Sequence, residues 1–286
     1  VRLADQFDQA TGLRRLFAEE PTFSSVGVLG PDPRRNARAS LSLARGISRR
    51  GNRVLLMDEA RAPYNTGGLA GFLVRQTLAQ APQIGLAAVS REIEPGLRLL
   101  AAPDGMGALA GLSEQSLHGM ADEWGTEAPE WMLLNSPGGS QGVGLAASAA
   151  VRVLVLPGEK SQLAEAYATL KSAQGIRPQG QWAVLVEGAS ADTAQRLYDS
   201  LRDTALRFVG VNLHYLGNLP KLKEGYEDDA DAAIQASTLA EALQDLPVDA
   251  TINFEQFWQR LWLFSRMSRD AANGKAKAQD AQRRAG

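Results

Sequence analysis

A single doubly wound α/β domain, with a mostly parallel sheet and helices on both faces, is predicted by three features of the sequence. Short, continuous apolar runs recur along the chain, and stretches with helical spacing lie between them. The gaps are short, with no glycine/serine linker and no internal repeat to mark a second domain. In order, the predicted strands are "SSVGVLG" (24–30), "NRVLLMDE" (52–59), "GLRLLAAP" (96–103), "WMLLNSP" (131–137), "VRVLVLPG" (151–158), "WAVLVEG" (182–188) and "RFVGVNLHYLG" (207–217). "RASLSLARGISRRG", "KSQLAEAYATLKSAQG" and "DTAQRLYDSLRDTA" are the clearest helices between them. Two ends stand outside the alternation, which divides the chain into an N-terminal segment (1–20), the α/β domain (21–250) and a C-terminal segment (251–286).

Composition narrows the chemistry. A formal charge of -2 argues against nucleic acid as the partner, because nucleic-acid-binding domains carry a basic surplus. The absence of cysteine excludes disulfides, thiolate catalysis and cysteine-based zinc sites, and two isolated histidines, His118 and His214, do not suggest a metal site. No run reaches the ~20 apolar residues of a membrane span, and the first residues lack a secretory pattern, so a cytoplasmic location is expected.

In this fold class ligands bind beyond the carboxyl ends of the strands, so the loops there carry the functional information. The loop after the first strand, "GPDPRRNA", stands where a phosphate-binding loop belongs. Such a loop needs glycines, so that successive backbone N–H groups point into one concavity, followed by a lysine and a hydroxyl. Pro31 and Pro33 have no N–H to donate, and they fix φ near -65°.

The stretch from 26 to 60 resembles the opening of MinD/ParA-type deviant Walker ATPases, whose loop reads G-K-G-G-V-G-K-T and whose second strand ends in D-x-D. By that resemblance Gly30 matches the first glycine, Pro31 stands at the family's distinctive first lysine, Asn36 at the P-loop lysine and Ala37 at the magnesium-binding hydroxyl. Asp58 keeps the first aspartate of the pair, and Ala60 replaces the second, which helps position the attacking water. Asn135, in "NSPGG", replaces the magnesium-associated aspartate, and Glu187 replaces the adenine-reading asparagine. Hydrogen bonds to charged groups are worth ~1.5–3 kcal/mol each, so losing three or four weakens nucleotide binding by ~5 kcal/mol or more. That is over a thousandfold. Arg34, Arg35 and Arg38 are either substitute phosphate ligands or a solvated basic turn, and the missing backbone donors favour the turn.

"DQATGLRRLF" (8–17) resembles the D-Q-A-x-G-L-R motif of the flagellar-number regulators called FlhG or FleN, a branch of the same group. Asp8, Gln9, Ala10, Gly12, Leu13 and Arg14 match it. The resemblance implies contact with the signal-recognition-type GTPase FlhF and stimulation of its hydrolysis, with Gln9 reaching the GTPase site. Physically the stretch reads as a short docking helix with an apolar edge at Leu13, Leu16 and Phe17 and a basic edge at Arg14 and Arg15. Further stretches extend the resemblance to about residue 236, among them "VRVLVLPGEKSQLAEAYATLKSA" and "YLGNLPK".

At the C-terminal end, "FEQFWQRLWLFSRM" places Phe254, Phe257, Trp258, Leu261, Trp262 and Phe264 on one arc of roughly 160° when wound as a helix. Lys275, Lys277, Arg283 and Arg284 follow. The face either covers the domain's own sheet or, as in relatives with a membrane-targeting helix, meets an anionic membrane. That second arrangement implies a peripheral position at the inner membrane or cell pole.

The combined expectation is a non-catalytic, FlhG-like regulator of flagellar number or placement, without a cofactor. Its partners would be an FlhF-like GTPase and flagellar regulator or basal-body proteins, and not nucleic acid. Two alternatives remain: a residual ATP- and magnesium-binding switch using Asp58 and the arginines, or a scaffold in another polar system such as cellulose-synthase control.

Overall fold

The computed structural model describes residues 23–124, 127–139, 142–220, 230–246 and 252–285. The 8–17 motif therefore lies outside the described residues. Among the described residues eight strands form one sheet: β1 (Ser24–Leu29), β2 (Val54–Asp58), β3 (Arg91–Glu94), β4 (Leu97–Ala101), β5 (Trp131–Asn135), β6 (Val151–Pro157), β7 (Gln181–Glu187) and β8 (His214–Leu219). Their order is β3-β4-β2-β5-β1-β6-β7-β8, and every pairing is parallel except β3 with β4. The longer helices are α1 (Pro33–Arg49), α2 (Gly105–Ala110), α3 (Glu114–Asp122), α4 (Leu163–Ile176), α5 (Ala191–Val209), α6 (Ala230–Gln244) and α7 (Phe254–Ala285).

The strands are apolar at nearly every position because both faces are covered. On one face Val26, Val28, Val54, Leu56, Val153 and Val155 pack under α1 and α6. On the other, Leu55, Met57, Leu134, Leu154, Leu156 and Val184 meet α2 to α5 and α7. Burying each such side chain contributes about 1.5–3 kcal/mol, which makes the two layers the main source of stability. Gly27 lies where the turn Gly144–Ser148 crosses β1: a Cβ there would stand 2.0 Å from the Ala146 carbonyl oxygen, so no side chain fits.

Two expectations change at the boundaries. The "RFV" of the last predicted strand belongs instead to α5, which ends at Gly210 in a left-handed conformation (φ 71°). An aromatic β-type tripeptide has thus been drawn into a long amphipathic helix, and β8 begins only at His214. The short edge strand β3, bulged and largely exposed, gives no apolar signal to read.

The aromatic face of the C-terminal segment covers the sheet layer. Phe257, Trp258 and Leu261 are fully buried, and Phe254 and Trp262 nearly so. Phe23 packs at ring-centroid distances of 5.6 Å from Phe254 and 5.2 Å from Phe257, and the Trp262 indole N–H donates to the Leu112 carbonyl at 3.1 Å. Among the described residues no helix is long and apolar enough to cross a membrane.

Candidate functional site

The sheet sets the carboxyl ends of β1, β2 and β5 side by side, with Asp58 in register with Asn135 and Asn135 with Val28. The Asp58 carboxylate is buried, and the chain's own donors occupy both of its oxygens. Oδ1 accepts from the Asn135 side-chain amide at 2.7 Å and the Ala60 N–H at 2.9 Å. Oδ2 accepts from both the hydroxyl and the N–H of Thr66 at 2.6 Å. Burial raises the Asp58 pKa, and these four hydrogen bonds oppose the rise. Asn135 completes the chain by accepting from the Ser40 hydroxyl at 3.0 Å. Ala60 is itself buried and brings no carboxylate. Among the described residues no three His, Asp or Glu side chains are grouped to hold a metal ion.

The loop after β1 is closed in a similar way. Asp32 is the N-cap of α1, and its Oδ1 accepts from the N–H groups of Arg34 (2.9 Å) and Arg35 (3.2 Å). These are the donors a helix N-terminus otherwise offers to a phosphate. Pro33 occupies the first helical position, where the lack of an N–H costs nothing structurally but leaves one donor fewer for an anion. Asn36 folds back and donates to the Gly30 carbonyl at 3.0 Å, and its own Oδ1 accepts no hydrogen bond among the described residues. A Cβ on Gly30 would stand 2.6 Å from that oxygen. Gly138, at φ 67°, lies against the same loop, and a Cβ there would be 2.9 Å from Asn36 Nδ2 and 3.1 Å from the Pro33 nitrogen. Ala37 is fully buried behind.

Arg35 and Arg38 converge on Glu187 at the end of β7. Arg35 Nη1 lies 3.1 Å from a Glu187 carboxylate oxygen and donates to the Glu187 carbonyl at 3.0 Å, while its Nη2 donates to Glu159 at 2.9 Å. Arg38 pairs with the other Glu187 oxygen and donates to the Pro220 carbonyl at 2.8 Å. Arg35 and Arg38 are thus engaged by carboxylates of the chain itself and do not form a free basic turn. They bridge α1 to the ends of β6, β7 and β8, with only Arg34 turned to solvent. The adjoining cleft, about 300 Å³, is bounded by Asp32, Arg35, Pro157, Glu159, Ser161 and Gln162, so two carboxylates face any entering anion.

Sequence reasoning missed two residues. Thr66, from a loop past β2, supplies half of the hydrogen bonds to Asp58. Glu59 turns into the interior beside Asp58, where its Oε2 accepts from the Leu145 N–H at 2.6 Å. Burial, and secondarily the charges of Asp58 and Asp104, push its pKa up to about 8. A charge directly after an apolar strand was the available signal, although such residues usually point outward.

No family model matches the chain, and no curated protein matches it. Solved structures do. Residues amounting to 79% of the chain superpose on 98% of the MinD cell division protein of Aquifex aeolicus, with TM-score 0.54 and 15% identity. The cell division ATPase MinD of Pyrococcus furiosus gives 78% and 99% coverage, TM-score 0.54 and 16% identity. Cyanothece McdA, solved as an ATP complex, gives 80% and 99%, 0.54 and 13%. The chain has the MinD/ParA fold.

With this fold established, the closed loop yields a test. Restoring the two loop residues by Asn36→Lys and Ala37→Thr together is expected not to create ATP binding measurable by calorimetry. Pro31 and Pro33 still remove donors, and Asp32 still caps α1. ATP hydrolysis by the double mutant would show a sounder loop backbone than the one described.

Proposed function

We propose that this chain is a non-catalytic protein of MinD/ParA fold that acts as an FlhG-like regulator of flagellar number or placement. Its N-terminal motif, with Gln9 and Leu13, would engage an FlhF-like GTPase. The observation that most supports loss of nucleotide chemistry is self-occupation of the site. Asp32 holds the α1 N–H groups, Asn36 fills the loop, and Glu187 ties up Arg35 and Arg38. A polyphosphate entering there would have to displace several charge-assisted hydrogen bonds and sit beside carboxylates. The six matched residues at 8–14 support the partner assignment.

One experiment addresses both halves. The full chain is titrated with ATP and magnesium in a calorimeter and then assayed for stimulation of the FlhF-like GTPase. The expected result is no nucleotide heat but clear GTPase stimulation. Gln9→Ala should mainly lose stimulation and Leu13→Ala mainly affinity, since the first would orient an attacking water and the second supplies apolar contact. Micromolar ATP binding that disappears in Arg35→Ala would establish the residual switch instead. A chain inert toward the GTPase would favour the scaffold in another polar system.

A further inference from the structure

At the opposite, amino edge of the sheet three arginines gather with no carboxylate paired to them among the described residues. Arg152, in β6, is fully buried. Its guanidinium donates to the carbonyls of Arg177 (2.6 Å) and Gln179 (2.9 Å) and lies 4.4 Å from the centre of the Trp182 ring. Arg177 follows α4 and donates to the Ser148 carbonyl at the end of the turn Gly144–Ser148. Helix α7 packs on that same turn and brings Arg260 into electrostatic range of Arg177. Arg260 has no ion pair or hydrogen bond among the described residues, and no carboxylate pairs with any of the three. Burial, and then a neighbouring arginine's charge, lowers the pKa of Arg177 and takes that of Arg152 down to about 10, yet arginine stays a cation at neutral pH.

Like charges held together without a counter-charge work against the folded state, and a carboxylate placed between them reverses the sign of that effect. The flanks are apolar and exposed: Ile176, directly before Arg177, is 46% accessible, and Leu263, one helical turn past Arg260, is 53%. A free phosphate would make no use of such flanks, and the chain's overall charge of -2 offers nucleic acid no wider attraction. We propose that Arg177 and Arg260, backed by Arg152 and flanked by Ile176 and Leu263, form a docking site for an acidic, partly apolar segment of a partner protein. The site lies at the opposite end of the strands from Asp58 and Asn36 and does not depend on how those residues are read.

The test uses the full chain and a fluorescein-labelled peptide of alternating glutamate and leucine, followed by anisotropy. Binding is expected, weakened at least tenfold by Arg260→Glu and by raised salt. Arg260→Glu is also expected to raise the melting temperature, because the new carboxylate pairs with Arg177. That shift checks the adjacency without any ligand, and a fall would overturn the proposal. So would failure of the peptide to bind, equal binding by the variant, or full competition by inorganic phosphate at the peptide's own concentration. Capture by anionic vesicles in place of the peptide, lost in the variant, would overturn it in favour of a lipid surface.

Discussion

Replacing Trp258 with alanine is expected to destabilise the protein by about 3–5 kcal/mol, the usual cost of deleting a buried tryptophan. The indole is 1% exposed and stands edge-on to Phe254 at 6.0 Å, within the cluster that joins Phe23 to the C-terminal helix. Urea denaturation should show the loss as a lower midpoint with little change in slope. Trp258→Phe is the informative control. The indole N–H has no hydrogen-bond partner among the described residues, so its removal relieves a cost while most of the contact area stays. The phenylalanine variant should therefore retain much more stability than the alanine one. A loss below about 1 kcal/mol on Trp258→Ala would mean that this helix face is not part of the core, and a membrane-facing role would regain ground.

Stability should also fall steeply as pH rises through neutrality, and Glu59 should be a principal cause. Its pKa is 4.5 when unperturbed and about 8 in the fold, so between those values the folded state holds a proton that the unfolded state has released. The stabilising contribution is complete below 4.5, declines as pH rises, and is exhausted once pH passes about 8. Every tenfold difference in proton affinity between the folded and unfolded chains is worth roughly 1.4 kcal/mol, so the change amounts to several kcal/mol in all. Asp58 is raised by burial and titrates in the same sense, so the measured slope contains both groups. Glu59→Gln separates them: its unfolding free energy should vary less with pH, and above about pH 8 it should exceed the wild-type value. Parallel curves for the two proteins would rule out Glu59 as the source.

The fold, one sheet between two helical layers, was legible because strands buried on both faces are apolar at nearly every position, as "VLVLP" (153–157) and "WAVLV" (182–186) are, and because α1 and α5 keep helical spacing between them. The site was legible as a set of positions and not as an arrangement. Asp58, Asn135, Asn36 and Glu187 could be placed at strand ends or in the first loop from order alone. That Arg35 and Arg38 reach Glu187 could not, since the partners lie about 150 residues apart and meet only through the strand order β1-β6-β7. Thr66 and Glu59 escaped for a related reason. The loop after β2 has no periodicity, and whether a polar residue there turns inward depends on a neighbour supplied by another part of the chain, as Leu145 is for Glu59.

The capping of α1 by Asp32 has a consequence for control. A carboxylate tethered beside the donors it occupies acts as a competitor at a very high local concentration that never diffuses away. A free nucleotide would have to win against it at every encounter, whatever the cell's ratio of ATP to ADP. Under the proposed reading, then, the energy charge of the cell has no purchase on this protein. The signal it sends would be set by how many copies are made and by which partners occupy them.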